Sequence, residues 1–262
     1  MGVFSNSWNL LKQSINILRK DKEIIWFPIL SLTFVLLVSV SIIIPLIKYY
    51  PLSNNPNSTQ ILFYVLALLV LYVLIALIRA FFEAGIVSCA AIRLNGGDPK
   101  FSDGIVKAKD NFKKIVYWAF IDGSVKLVLA LFHSNKEKKK NYLAKYIGNM
   151  LDVAWKAITF FVVPVLVFEN LNVIDSIKKS ASIFKKTWGE SAIASFSSIL
   201  LILLFSWIGL LPLLLITLNP PGVVVLGLVA FALIYNLVLI AVIECLMGVY
   251  KAALYLYAGS GK

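Results

Sequence analysis

Histidine is nearly missing from this chain, cysteine is scarce, and acids are outnumbered by bases. His133 is the only histidine, and Cys89 and Cys245 are the only thiols. Neither a histidine-rich metal site nor a Ser-His-Asp arrangement with redundancy can be assembled from them. Two free thiols and no disulfide framework are expected. No glycine-rich phosphate loop occurs, since Asn95-Gly96-Gly97-Asp98-Pro99 reads as a turn after a helix. These gaps nominate no catalytic residue, no metal ligand set and no cofactor, so the chain is read as non-enzymatic. The first 20 residues are amphipathic, without the continuous apolar core of a cleavable signal peptide. Asn6 stands where a myristoylation signal needs Ser or Thr.

Charge of either sign is also sparse. Only 15% of the 262 residues are charged, 60% are hydrophobic, and the mean hydropathy is +0.87. That composition lies far outside the soluble globular range and predicts an integral membrane protein. A span needs about 20 apolar residues, and six stretches qualify: 24–47, 61–80, 115–132, 147–168, 192–218 and 223–243. The expected fold is all-α, a polytopic bundle of six transmembrane helices forming one membrane domain over residues 1–262. The net charge of +12 does not point to nucleic acid, because the basic residues flank the spans instead of forming a separate basic, aromatic-rich module. Anionic lipid head groups are the expected counter-charge and membrane lipids the expected partners; no protein partner is named by the sequence. Lys and Arg concentrate in the amino-terminal segment, at 79–114 and at 169–189, which places those segments and both termini in the cytoplasm of a multi-pass protein of the cytoplasmic membrane.

One short pattern recurs three times. Leu11, Ser14 and Leu18 precede Arg19-Lys20; Ile105, Ala108 and Phe112 precede Lys113-Lys114; Ile177, Ser180 and Phe184 precede Lys185-Lys186. Asp103 and Asp175 open the second and third copies, suited to accept unpaired backbone N–H groups at a helix start. In the first and third copies Trp8, Leu11, Ile15, Leu18 and Ile174, Ile177, Ala181, Phe184, Trp188 recur at helical spacing, predicting helices that lie in the membrane interface. Two long apolar stretches follow each copy. The second of each pair ends at a lone acid: Glu83, Glu169 or Glu244. Three repeats of interfacial helix plus transmembrane hairpin are therefore expected, at about 1–92, 101–169 and 174–258. The glutamates fall about 22 residues along their spans, roughly 33 Å, which is the cytoplasmic boundary; each is expected to pair with the basic residues of an interfacial helix.

The middle hairpin carries its charges deeper. Asp122 and Lys126 are four apart in one span, Asp152 and Lys156 four apart in the next, so each pair shares a helical face. Ionisable groups inside a membrane are a functional-site hypothesis by default. These four form a candidate intramembrane polar site for a zwitterionic or anionic head group, against the alternative of a self-neutralising structural network. Lys136, Lys138, Lys139, Lys140 and Lys145 follow, in a loop that six crossings place outside, against the positive-inside rule. A re-entrant hairpin would remove the conflict, but the repeat argues for a full crossing.

The stretch from Trp155 through Phe160-Phe161-Val162-Val163-Pro164-Val165-Leu166-Val167-Phe168-Glu169, with Asp175, Ile177, Ser180 and Phe184-Lys185-Lys186-Thr187-Trp188-Gly189-Glu190, resembles an uncharacterised family of prokaryotic multi-span membrane proteins, a domain of unknown function. Ser7-Trp8 and Leu18-Arg19-Lys20-Asp21-Lys22-Glu23 look like that family's start. Membrane domains attached to some glycerophosphodiesterases look distantly similar, which implies a lipid setting. The resemblance supplies no activity. The expected function is the organisation or handling of membrane lipids; the alternative is a transporter or channel for a small polar or amphiphilic solute, using Asp122, Lys126, Asp152 and Lys156.

Overall fold

A computed structural model describes residues 3–51, 57–134, 142–218 and 221–259. The described residues are almost wholly helical, and no strand occurs among them. In chain order they form α1 (Val3–Lys20), a 3-10 turn (Lys22–Ile25), α2 (Trp26–Tyr49), α3 (Ser58–Leu94), α4 (Phe101–Asp110), α5 (Phe112–Ser134), α6 (Tyr142–Thr159), α7 (Val162–Phe168), α8 (Val173–Lys186), α9 (Trp188–Leu210), a 3-10 segment (Leu211–Leu218) and α10 (Gly222–Gly259). Six stretches are long and apolar enough to cross a membrane: Lys22–Tyr49, Ser58–Leu94, Phe112–His133, Tyr146–Phe168, Trp188–Leu218 and Gly222–Gly259. They coincide with the six expected spans. Lys136, Lys138, Lys139 and Lys140, on which the expected outer loop depends, lie outside the described residues.

The chain divides into two compact units. The first comprises Met1–Leu32, Ile86–Gly104 and Lys186–Lys262; the second comprises Thr33–Gly85 and Ile105–Lys185. In the first, α1 packs against α9 and α10, and the buried Tyr250 hydroxyl donates to the Glu190 carbonyl at 3.2 Å, tying α10 to the start of α9. In the second, one apolar cluster joins Ala80 and Ala84 of α3, Ala108 of α4, Ile115 and Trp118 of α5, Val162, Val163 and Leu166 of α7 and Val173 of α8. The short helices thus plug their small or branched residues between the longer ones.

The short helices bury a different stripe from the expected one. α1 buries Ser7, Leu10, Ser14 and Ile17, and α8 buries Val173, Ser176, Ser180 and Ile183. Both stripes stand one residue earlier than the apolar series 8, 11, 15, 18 and 174, 177, 181, 184. Serine tolerates this burial because its hydroxyl can return to its own helix: Ser14 Oγ donates to the Leu10 carbonyl at 2.8 Å and Ser7 Oγ to the Val3 carbonyl at 2.9 Å. The small side chain also allows close helix approach. The apolar series is left on the flank, with Trp8, Ile174 and Trp188 exposed.

Two long helices overrun their expected ends. α3 has 37 residues and α10 has 38, about 55 Å each at the usual rise against a hydrocarbon core of about 30 Å. Glu83 and Glu244 therefore lie inside continuous helices. Only Glu169 closes its helix, as the C-terminal flanking residue of α7. Residues 84–91 of α3 are all buried, and their small side chains explain why the helix continues past its acid: they fill a protein interior, where the hydropathy of a lipid-facing surface is not needed.

The fourth expected span is broken. α6 ends at Thr159, Phe160 and Phe161 turn, and α7 restarts with Pro164 as its third residue. In a continuous helix the proline ring would strike the residue 160 carbonyl and offer no N–H. Ser180 of α8 bridges the break. The Phe161 N–H donates to its Oγ at 3.0 Å, and the hydroxyl donates to the Ile158 carbonyl at 2.6 Å. Ser180→Ala strands the buried Phe161 N–H, takes the side-chain donor from the Ile158 carbonyl, and is expected to cost about 1–3 kcal/mol. Thermal unfolding in detergent checks this: Ser180→Ala should melt lower, whereas Ser182→Ala, at an exposed position, should melt with the wild type.

Candidate functional site: charged pairs of the middle spans

Asp122 sits in the middle of α5 and is 6% exposed. A carboxylate there is tolerable only if its oxygens are engaged, and both are. Lys126 Nζ, one turn on, donates to Oδ2 at 2.6 Å, and the Trp155 indole Nε1 of α6 donates to Oδ1 at 2.9 Å. Trp155 is held in place by Trp118 of α5, whose ring stacks on it with centroids 6.1 Å apart and planes 20° from parallel. The next residue along, Gly123, brings the α5 backbone against Val73 of α3; a Cβ there would stand 2.7 Å from both Val73 Cα and Val73 N. Asp122 is thus held from α5 and α6, while α3 packs against the residue beside it.

Asp152 and Lys156 make a second i,i+4 pair, Nζ to Oδ2 2.7 Å, with the lysine side chain 69% exposed. Trp155 turns toward Asp122, and its neighbour Lys156 lies about 100° further round α6. The structure brings together Asp122, Lys126 and Trp155, while Asp152 and Lys156 satisfy each other on a different, open face. Near the far end of the hairpin, His133 lies in the last turn of α5. Its Nδ1 stands 2.7 Å from the Leu129 carbonyl and its Nε2 3.2 Å from Asn149 Oδ1 of α6.

Among the boundary acids, Glu169 Oε1 meets Lys179 Nζ of α8 at 3.6 Å, and its backbone carbonyl accepts from Lys114 Nζ at 3.5 Å. Lys114 also donates to Asn170 Oδ1 at 3.3 Å. The partner on α8 is therefore Lys179 instead of the Lys185-Lys186 pair, whose side chains are exposed. Glu83 and Glu244 are half-buried in α3 and α10. Arg19 and Lys20 at the end of α1, and Lys113 in the first turn of α5, are exposed.

The two opening aspartates act differently. Asp103 takes the Lys100 N–H at 2.8 Å, the return half of a capping box. Asp175 instead gives its own N–H to Asn172 Oδ1 at 2.9 Å, while its carboxylate accepts from Asn172 Nδ2 at 2.7 Å and Lys178 Nζ at 3.1 Å. Those donors, Lys178 first, hold the Asp175 carboxyl below its ordinary range. Asn172, not Asp175, is the capping residue.

Two contributors escaped the sequence reading. The Trp155 indole is a partner only because α5 and α6 pack side by side. The Ser180 hydroxyl works only because Pro164 opens the backbone in front of it; a proline eight residues into an apolar run after a charged segment is the signal available. Among the described residues, no group of three or more His, Cys, Asp or Glu is placed to hold a metal ion.

No curated protein matches the chain. The profile of one family, described as a family of unknown function (DUF6159), matches residues 61–262, which takes in α3 through α10 with both charged pairs and the helix break. The chain belongs to that family.

Proposed function

We propose that this is a non-enzymatic protein of the cytoplasmic membrane that organises or handles lipids, through basic helices lying in the inner interface. The observation that carries the reading is the double face of α1 and α8. Each turns a serine-containing stripe to the protein and leaves an apolar stripe beside lysines, with Trp8 of α1 and Ile174 of α8 exposed and Trp188 exposed at the start of α9. An apolar flank with a tryptophan and a basic end suits the head-group boundary, where the ring is half in hydrocarbon and the ammonium groups meet phosphates. The order of elements supports a threefold plan, since α1, α4 and α8 each precede a pair of spans. In this plan both termini and the three short helices face the cytoplasm.

Lipid transfer between vesicles tests the reading. Purified full-length protein should bind anionic lipid in preference to zwitterionic lipid and accelerate exchange. Indifference to head-group charge, with no lipid retained or moved, contradicts it. A second reading, passage of a polar solute, rests on Lys126 and Lys156, whose side chains are 42% and 69% exposed within the spans. If it is correct, neutralising Asp122, Lys126, Asp152 and Lys156 abolishes uptake in a variant that still reaches the membrane.

A further inference from the structure

We infer that the cleft between the α1–α2 junction and the α3–α4 loop is an anion site for a phosphate-bearing group: the phosphodiester of a lipid head group or a soluble phosphate ester. The cleft, about 490 Å³, is lined by Lys20, Lys22 and Lys100 together with Asp21, Glu23 and Asp98. It lies within the first unit. By count of formal charges it looks neutral, but the acids are already committed. Arg93 Nε donates to Asp21 Oδ2 at 2.6 Å, and its Nη2 reaches both Asp21 Oδ1 and Asp98 Oδ1. Glu23 Oε2 accepts the Phe101 N–H at 3.3 Å, and nearby Asp103 accepts the Lys100 N–H.

The loop is built for this. Gly96 adopts φ +85°, a turn conformation that ordinary side chains resist, and it returns the chain so that Asp98 meets Arg93 and Lys100 overlooks residues 20–23. Asp21 itself is buried, and Arg93, which is not part of the lining, fixes its carboxylate from behind. Lys20, Lys22 and Lys100 are exposed, and among the described residues none of the three ammonium groups makes an ion pair. Three cations without ion pairs ring a cleft of ligand size, two of its three carboxylates are drawn to Arg93, and with that arginine counted the cleft carries a net charge of +1, which favours an anion. The cleft adjoins the basic end of α1 and the start of α2, the level at which lipid phosphates lie if α2 is a span.

This inference rests on the lipid reading and deepens it. The test titrates delipidated full-length protein in detergent with phosphatidylglycerol, read by native mass spectrometry, and separately with glycerol phosphate, read by equilibrium dialysis. Wild type should bind at least one. A Lys20→Gln, Lys22→Gln, Lys100→Gln variant should bind about fivefold more weakly for each lysine removed, while Lys→Arg at the same three positions should retain binding. A Lys48→Gln control, at the opposite end of α2 and on none of the short basic helices, should bind as wild type does. Binding of phosphatidylglycerol alone identifies the lipid as the source; binding of glycerol phosphate at the same lysines identifies a soluble ester. Equal binding by wild type and the Gln variant, or equal loss in the control, overturns the cleft while leaving lipid handling intact. A wild type that binds neither probe overturns the cleft; if it also moves no lipid between vesicles, the lipid reading falls with it.

Discussion

Gly123→Leu should prevent α3 and α5 from packing, and Gly123→Ala should weaken the same contact by about 1–3 kcal/mol. The obstacle is backbone, not a side chain that can rotate: a Cβ at 123 would stand 2.7 Å from Val73 Cα and N and 2.9 Å from the Tyr72 carbonyl carbon. Helix association in lipid draws on close packing and interhelical hydrogen bonds, because burying apolar surface gains little there. In detergent, Gly123→Leu should give little monodisperse protein and Gly123→Ala a lowered melting midpoint. Gly227→Ala is the control: nothing lies within 4 Å of its Cβ position, and alanine favours a helix over glycine, so its midpoint should equal or exceed that of the wild type.

Asp122→Ala should cost about 3 kcal/mol, because it removes the acceptor of both Lys126 and Trp155 and leaves an ammonium and an indole N–H facing a site that no longer holds an oxygen. Asp122→Asn should cost less, since Oδ1 can still receive the indole while the ion pair is lost. Replacing the pair together, Asp122→Leu with Lys126→Leu, should recover much of the loss, as apolar substitutes for buried ion pairs often do. Melting midpoints of the four proteins check the order. A double variant less stable than Asp122→Ala would show that the ion pair is worth more than its desolvation cost. Asp152→Ala should be mild by comparison, because its partner Lys156 is largely exposed.

Much of the architecture is legible in the sequence because hydropathy over 20 residues is a strong signal: all six expected spans coincide with apolar helices. The short amphipathic helices were legible too, though the buried face was not. Periodicity selects the most apolar stripe, whereas α1 and α8 bury the serine stripe beside it. Hydropathy misjudges such a face because the hydroxyls of Ser7 and Ser14 are satisfied within their own helix and that of Ser180 across a break. Falling hydropathy predicts that the acids end their spans, but α3 and α10 continue past Glu83 and Glu244 as helices whose buried residues pack inside the protein. The charged hairpin shows the limit of spacing rules: an i,i+4 match guarantees a local pair and does not say whether two pairs will meet. The cleft was illegible for another reason, since Asp21 and Arg93 stand 72 positions apart and only the path of α3 brings them together.

Both the threefold plan and the proposed lipid role require six crossings, with the middle hairpin reaching the far side. Single cysteines at Tyr50, His133 and Leu218, and at Asp98, Asp110 and Asn170, in a chain with Cys89 and Cys245 replaced by alanine, test it in intact cells with a membrane-impermeant maleimide. Positions 50, 133 and 218 should label from outside, and 98, 110 and 170 only after lysis. Labelling at 50 and 218 with protection at 133 would contradict the account, because α5 and α6 would then dip into the membrane and return.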